Sequence, residues 1–504
     1  MSEKKSFFQL AKSLKPNFWW ASSMELFERW AWYGMFSVLA LYLTGSTDSG
    51  ALGFSQIQKG QIMGIVTGIL YFLPLIMGVI ADKIGFKISL IIAFLILGSG
   101  YYMMGTVSTY TSVFVAFMFL AIGAALFKPV ASGVITKSTN DENSKLGFGL
   151  FYMVVNIGGF VGPMMSSYLR TTYGWKLIFI QGTIVIALNL LIALFFFKEP
   201  KVEKEKESVG AAIISVFTNI WEAVKDVKLT VLLIIMIGFW TMFNQLFYTL
   251  PTFIEDWVDT MALHNSIAKF SPALANIMSG DGNSVNPEMM INIDAGAIVV
   301  FQILISMLVT NTRHVTAMIR GFIVAIIGIG LTFYFQNGWY VIVGIVVFAL
   351  GEMTTNPTFS AFIASISPKG KEALYQGTYF LPVAAGNFLT TFISGNLYQS
   401  WSDKLSLLQR ELAVRHIEMP KIGEHFTKND YYKMAAEKLH MNQSQMTEML
   451  WQSYEPHKIA YVIVAIGVVT CLALFIYDQT VIRPREKRDL AIKLEENPNV
   501  EDRF

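Results

Sequence analysis

Long apolar runs, separated by short charged, glycine- or proline-containing breaks, recur along the whole chain. A helix that crosses a hydrocarbon layer of ~30 Å, rising ~1.5 Å per residue, needs roughly 20 apolar residues. Twelve runs come close to this length. They predict membrane-spanning helices 1 to 12 at 17–43, 57–82, 87–106, 109–137, 145–170, 173–197, 229–255, 289–311, 315–336, 339–367, 372–399 and 457–479. The pattern therefore predicts an all-α membrane protein.

Composition agrees with this pattern. The chain has 504 residues, of which 54% are hydrophobic and 15% charged, whereas soluble domains have about 25% charged residues. The formal net charge of +2 gives no reason to expect a nucleic acid partner. Cys471 is the only cysteine, and no histidine spacing fits a metal site. We therefore predict no metal, no cofactor and no enzymatic activity.

Lysine and arginine cluster in alternate short loops, for example Lys83 and Lys87 after helix 2 and Lys137 after helix 4. Basic loops stay on the cytoplasmic side of a membrane. We therefore expect both termini in the cytoplasm, including a basic segment at 1–16 that is retained and a tail at 481–504.

The charged stretch between helices 6 and 7 divides the predicted helices into two sets of six. Residues 199–228 combine charges with an amphipathic run, which predicts a cytoplasmic linker lying along the membrane. The halves are 17–198 and 229–480, and the second contains a polar external insertion at 400–456. Many transporters have two such halves, with the substrate site between them at mid-membrane.

Three predicted helices contain charged residues deep inside apolar sequence. Helix 1 has Glu25, Glu28 and Arg29 at helical spacing on one face. Helix 4 has Lys128 and helix 10 has Glu352. Because a charge at membrane depth costs a few kcal/mol, such groups are functional candidates by default.

These charges lie in motifs that resemble the proton-coupled oligopeptide transporter family of the major facilitator superfamily. The family motif E-x-x-E-R-F-x-Y-Y-G resembles MELFERWAWYG in helix 1, where Trp32 replaces the first tyrosine, and FKP surrounds Lys128. Other matches are FYMVVNIGG with Tyr152 and Asn156, FWTMFNQ in helix 7, and Glu352 with Pro357. The loop GVIADKIGFK resembles the general superfamily motif through Gly78, Asp82, Gly85 and Lys87.

The resemblance implies a major facilitator-type fold with 12 transmembrane helices in two six-helix bundles, importing di- and tripeptides with protons by alternating access. It implies proton coupling by Glu25, Glu28, Arg29 and Glu352. It implies substrate binding by Arg29, Tyr33, Tyr71, Lys128, Tyr152, Asn156, Trp240, Asn244, Gln245, Glu352 and Tyr379. Lys128 and Glu352 are in opposite halves, so we also expect them to form a gating salt bridge.

The chain departs from the family at several positions. Asn244 occupies the helix 7 position where the family commonly has an acid, and Tyr379 the helix 11 position where it often has tryptophan. Asp294, early in helix 8, is an acid that could replace the missing one. Its place near the external end of helix 8 favours instead a solvated structural role.

Other interpretations stay open at this point. The helix 1 charges can form a static ion pair, Lys128 and Glu352 can reach nearby water separately, and each aromatic can serve ordinary packing. The same fold can also carry another small zwitterion, an anion or a drug-like molecule. For the main hypothesis the partners are short peptides, protons and the lipid bilayer, and we expect a monomer in a bacterial inner membrane.

Overall fold

The computed structural model describes residues 7–140, 142–200, 208–368 and 371–488. Parts of the predicted segments 1–16, 199–228 and 481–504 lie outside these ranges. Regular structure within the described ranges is helical, apart from two isolated β-bridges. The predicted all-α fold class is confirmed.

The first half contains the six predicted helices with nearby bounds. They are Pro16–Thr44, Gln56–Phe72 with Pro74–Ile84, Phe86–Met104, Tyr110–Ser138, Ser144–Tyr173 and Lys176–Leu191, the last extended by a π-helical turn at Ile192–Phe196. The linker contains the amphipathic helix Val209–Val224. The predicted order of elements in this half therefore agrees with the structure.

The second half contains the other six. They are Val227–Phe243 with Gln245–Tyr248 and Leu250–Trp257, Pro287–Val309, His314–Tyr334, Gly338–Ile366, Phe380–Thr391 with Glu372–Gly377 before it, and Ile459–Tyr477. A π-helical segment, Phe392–Leu397, and the turn Tyr398–Trp401 extend helix 11. Asp478–Ile482 extends helix 12 in the same way.

Helices 2, 7 and 11 are broken, and Pro74 and Pro382 in the sequence suit two of these breaks. Helix 2 bends by 47° where Pro74 begins its second part. A proline lacks the N–H that the helix needs and its ring crowds the preceding turn, which bends or ends a helix. Pro251 and Pro382 lie just after the breaks in helices 7 and 11.

Membrane-spanning character is present in most of the twelve helices. Within the described ranges, nine helices are long and apolar enough to cross a membrane, or ten when the bent helix 2 is counted as one span. Helix 1 is not among them because it contains the charged cluster, and helix 11 is divided into short pieces. The cytoplasmic position of both termini stays a prediction.

Each half has its own buried apolar core, one built from helices 1–6 and the other from helices 7–12 with the insertion. Helix 2 packs on helix 11 across the halves, and helix 5 packs on helix 8. At Gly60 a Cβ would meet the carbonyl oxygen of Thr391 at 2.8 Å and the Cα of Gly395 at 2.9 Å. Only glycine allows the two helices to approach this closely.

The predicted external insertion folds into three short helices, Lys404–Val414, Lys428–Leu439 and Gln443–Tyr454. Asp403, Thr427 and Asn442 cap their N-termini by accepting backbone hydrogen bonds. The segment 256–288 between helices 7 and 8 also contains helices, Thr260–Phe270 and Pro272–Met278. Both segments lie at the same end of the bundle, called the insertion end below.

Candidate functional site

The charged cluster of helix 1 is buried. Glu25, Glu28 and Arg29 are 7%, 0% and 6% exposed. Arg29 Nε donates to Glu28 Oε2 at 2.6 Å and lies 3.2 Å from Glu25 Oε1. The guanidinium of Arg29 also lies 5.8 Å from the centre of the Tyr33 ring. One permanent cation is therefore shared by two carboxylates at membrane depth, as the helical spacing predicts.

Lys128 completes this group of charges. It lies close enough to feel the charges of Glu25, Glu28 and Arg29, and its Nζ is 4.7 Å from the centre of the Tyr71 ring. When all four groups are ionised their charges cancel. A proton on one of the two carboxylates leaves a net positive charge, which then attracts an anionic group.

The predicted ion pair between Lys128 and Glu352 is absent from the described part of the chain. Lys128 rests on Tyr71 instead, and Glu352 Oε2 is shielded from solvent without a hydrogen bond partner. The expected salt bridge is not formed in this conformation, in which Lys128 lies near the opposite charges of its own half, and its gating role stays a prediction.

A cavity of about 220 Å³ lies between the two halves. Six predicted substrate-binding residues line it, namely Tyr33, Tyr71, Asn156, Trp240, Asn244 and Glu352. Arg29 and Lys128 lie directly behind Tyr33 and Tyr71, the rings that they contact. The cations of the first half are thus separated from the cavity by one aromatic layer.

The other predicted binding residues lie outside this lining. Gln245 is buried within helix 7, where its amide donates to the Thr241 carbonyl at 2.9 Å. Tyr152 is 51% exposed. Tyr379 donates a hydrogen bond to Asn356 and packs edge-on against Trp240 at 6.3 Å. These three residues support or flank the cavity in this conformation.

Asp294 does line the cavity, and the solvated structural role favoured from the sequence is wrong. Its side chain is 5% exposed, and its Oδ1 has no hydrogen bond partner among the described residues. Glu352 lies close enough to interact with its charge. Asp294 is buried because helix 8 packs its first turns against helices 5 and 10, which its position near a helix end does not reveal.

Sequence reasoning missed several polar residues of the site. Asn292, Asn356 and Asn387 line the cavity, and the hydroxyl of Tyr248 donates to Asn387 Oδ1 at 2.6 Å. Asparagine side chains need hydrogen bond partners at membrane depth just as charged groups need counter-ions. A search for amides inside the apolar runs would have found these three residues.

Polar contacts join the two halves at the insertion end. Arg170 of helix 5 donates twice to Glu288 of helix 8, at 3.0 and 3.2 Å. Lys59 of helix 2 is fully buried between Thr252, at 3.5 Å from its Nζ, and the ring of Tyr398. The conformation is therefore closed at the insertion end. The sequence analysis did not single out Lys59 or Arg170, although both are charges at the ends of predicted helices.

The loop after helix 2 is held by hydrogen bonds from Phe86 and Lys87 to residues at the end of helix 6 and just after it. Gly85 has a φ of +98°, a conformation that favours glycine. Beyond it, the backbone N–H groups of Phe86 and Lys87 donate to Glu199 at 2.8 and 2.6 Å, and Lys87 Nζ donates to the Leu194 carbonyl at 2.9 Å. A carboxylate thus caps the N-terminus of helix 3. Gly78 faces the Pro129 ring in helix 4, and Asp82 lies in the second part of helix 2.

The chain is similar in sequence and in fold to known transporters. Residues 22–257 match the model of the Major Facilitator Superfamily. Peptide transporter YePEPT of Yersinia enterocolitica is 28% identical over 180 residues, which are 34% of this chain and 34% of that protein. Dipeptide and tripeptide permease B of Aliivibrio fischeri is 30% identical over 199 residues, 39% of this chain and 38% of the permease.

The match to these curated relatives spans little more than a third of their length. A crystal structure of a POT family transporter in complex with 5-aminolevulinic acid superposes with a TM-score of 0.62 at 17% identity, covering 94% of this chain and 98% of that one. The major facilitator fold is confirmed, and so is the resemblance to the oligopeptide transporters. The family and these relatives are transporters rather than enzymes.

The contact between Arg170 and Glu288 predicts a specific pattern of stability. Arg170→Met leaves Glu288, which is 0% exposed, as an unpaired buried charge and is expected to cost about 3–5 kcal/mol. Adding Glu288→Gln removes that charge and should restore most of the thermal unfolding midpoint in detergent. Losses that simply add in the double variant would contradict a paired role.

Proposed function

The chain has the fold of the major facilitator superfamily and resembles its peptide transporters, and from that premise we propose that it is a proton-coupled symporter importing di- and tripeptides by alternating access. The observation that carries the proposal is the buried group of Glu25, Glu28, Arg29 and Lys128 beside a polar cavity between the halves.

Proton coupling begins at the two carboxylates that share Arg29. Glu28 holds the guanidinium through a hydrogen bond to Arg29 Nε, and Glu25 lies within ion-pair distance. A proton on either acid weakens its attraction for Arg29 and leaves the group with a net positive charge. Arg29 then becomes available for a substrate carboxylate, which a planar guanidinium binds with two hydrogen bonds. Proton binding and substrate binding therefore favour each other.

The two halves offer opposite charges to the substrate. Arg29 and Lys128 lie on one side of the cavity behind Tyr33 and Tyr71, and Glu352 lies on the other. A short peptide carries a carboxylate at one end and an ammonium at the other. The amides of Asn156 and Asn244 and the aromatic walls suit its backbone and variable side chains.

Alternating access uses contacts that one conformation makes and another breaks. Arg170–Glu288 and the close approach of helices 2 and 11 close the insertion end in this structure. Opening that end requires these contacts to separate while the opposite end closes. An ion pair between Lys128 and Glu352, absent in this conformation, would then hold the halves together on the other side of the cavity.

The remaining assignments follow from this function and from the bacterial relatives. The protein is a multi-pass membrane protein, which we assign to a bacterial inner membrane with both termini in the cytoplasm. It acts as a monomer in the lipid bilayer. Protons are the coupling ions, with no metal, organic cofactor or nucleic acid involved.

A second candidate function is transport of another small zwitterion, an anion or a drug-like molecule by the same mechanism. The specific observation that favours it is Asn244, an amide on the cavity wall where the family commonly has an acid. The similar fold solved with 5-aminolevulinic acid contains a zwitterion that is not a peptide. Competition between substrates separates the two candidates.

Purified protein in proteoliposomes tests the proposal. We expect labelled dipeptide to accumulate against its gradient when the outside is made acidic and the inside electrically negative, because protons enter with the substrate. Unlabelled di- and tripeptides should compete, whereas peptides capped at both termini should not. Uptake indifferent to the pH gradient and the voltage would contradict coupling, and competition by capped peptides would contradict recognition of the termini.

A further inference from the structure

The second half contains two acids in the cavity and no nearby cation to balance them. Asp294 is 5% exposed with a buried, unpartnered Oδ1, and Glu352 has a buried, unpartnered Oε2. Both line the cavity, and their charges interact. Neither carboxylate is within 4 Å of a lysine, arginine or histidine nitrogen in the ranges that the structure describes. Two buried carboxylates whose charges interact in one cavity cannot both stay ionised without a large energetic penalty.

Unused hydrogen-bonding groups in the same cavity indicate a ligand. Asn244 Nδ2 and Trp240 Nε1 are buried donors without acceptors, and Asn292 Oδ1 is a buried acceptor without a donor. All three residues line the cavity with Asp294 and Glu352. Because buried polar groups are normally hydrogen-bonded, this wall is built to face something polar that is not part of the chain.

We propose that Asp294 and Glu352 share one proton and form the proton-binding site of the second half, a role that helix 7 cannot supply through Asn244. This inference rests on the proposed function and deepens it. The shared proton leaves one negative charge on the pair. That charge binds the substrate ammonium while the proton remains on the other carboxyl group, so the proton and the ammonium cross together.

The side chains around Asp294 and Glu352 are neutral or already paired, so these two acids are the groups that gain and lose the proton. Besides Asp294, the described side chains that interact with the charge of Glu352 include the tyrosines Tyr33, Tyr71, Tyr152 and Tyr379. Tyrosine hydroxyls are neutral near pH 7. Helix 7 presents Asn244, and Glu288 at the start of helix 8 is already paired with Arg170. Release of the shared proton in the empty carrier then needs a cation, which the predicted approach of Lys128 to Glu352 would supply.

Infrared spectroscopy and transport assays test this pair together. At neutral pH we expect the protonated carboxyl band of the wild type to lose one component in the double variant Asp294→Asn with Glu352→Gln, while absorption from Glu25 and Glu28 stays unchanged. Asp259→Asn, at an exposed helix cap that asparagine also fills, is the matched control and should keep the band. In proteoliposomes, Asp294→Asn should still exchange labelled for unlabelled peptide but lose proton-driven accumulation.

A carboxyl band identical in the wild type and the double variant would overturn the shared proton. Equal loss of exchange and accumulation in Asp294→Asn would also overturn it, because that pattern is expected of a structural residue. Failure of the proposed function has a different signature: the wild type would then not accumulate peptide, whether or not the band depends on Asp294 and Glu352.

A separate observation concerns the insertion, residues 400–456. It belongs to the second half, yet it bonds to the loop between helices 1 and 2 of the first half. Asn429 Nδ2 donates to Asp48 Oδ1 and Oδ2 at 3.1 and 2.9 Å, and its backbone N–H donates to Ser46 Oγ at 3.2 Å. Gln56 Nε2 donates to Asp403 Oδ1 at 2.9 Å. The hydroxyl of Ser46 donates to Asp48 and holds the pKa of that carboxyl below its usual value.

These bonds span a polar vestibule of about 300 Å³ at the insertion end, lined by Thr44, Thr252, Asp256 and Lys428 among others. We infer that the insertion is a latch that favours the conformation closed at this end. The halves cannot separate here without breaking the bonds from Asn429 to Asp48. The latch therefore sets how often the vestibule opens to the outside.

Cysteine labelling measures that opening directly. In a Cys471→Ser background, Thr44→Cys places a thiol in the vestibule beneath the latch, where Thr44 is 5% exposed. We expect Asn429→Ala to raise its labelling rate roughly tenfold, as for loss of one charge-assisted hydrogen bond. Gln443→Ala, at an exposed position of the same insertion that forms no hydrogen bond to the first half within the described residues, is the matched control and should leave the rate unchanged.

Equal labelling rates for Asn429→Ala and Gln443→Ala would overturn the latch. The readout needs no substrate and no proton gradient. It therefore distinguishes failure of the latch from failure of the proposed symport, which only the proteoliposome assay measures.

Discussion

The account of this protein depends on one buried interaction, the sharing of Arg29 between Glu25 and Glu28. Arginine keeps its charge at any accessible pH, whereas a carboxylate beside it can gain or lose a proton. At 0% exposure Glu28 has no water to replace the guanidinium. A change in the protonation of this group therefore requires a nearby charge to move. That charge is either Lys128 or a substrate carboxylate.

The distribution of charge across the cavity extends this constraint to the substrate. With one proton bound, the group around Arg29 is positive, and the carboxylates of the other half are negative. A zwitterion bridges the two halves by neutralising both charges at once. The aromatic layer formed by Tyr33 and Tyr71 separates the cations from the empty cavity, so they approach the substrate only when these rings or their helices shift. This links binding to the movement of one half against the other.

Much of the fold could be predicted because each membrane helix requires a long apolar run, which is visible in the sequence. Apolar length predicted helices close to the observed positions, and the i, i+3 and i, i+4 spacing of Glu25, Glu28 and Arg29 predicted one buried cluster. The resemblance in helices 1, 4, 7 and 10 then pointed to the same cavity that the structure contains. The breaks in helices 2, 7 and 11 do not show in hydropathy, which does not register local backbone geometry, but Pro74 and Pro382 indicated two of them.

What the sequence could not supply was the partner of each charge. Lys128 was expected to pair with Glu352, but the structure places it over Tyr71, because a pairing between halves depends on the conformation and not on spacing. Asp294 was judged by its position along helix 8, whereas its burial depends on how that helix packs against helices 5 and 10. The contacts between the two halves are needed to recognise the roles of Lys59, Arg170 and Asn429.

The most direct test of the central claim is the Glu28→Gln variant, studied for exchange and for accumulation in the same proteoliposomes. Glutamine keeps the shape of the side chain but cannot hold a proton and a negative charge in turn. The account predicts peptide exchange between two pools at unchanged pH, together with loss of accumulation driven by a proton gradient. Glu424→Gln, at an exposed glutamate of the insertion, should retain both activities. Gradient-driven accumulation by Glu28→Gln at the wild-type level would contradict the account.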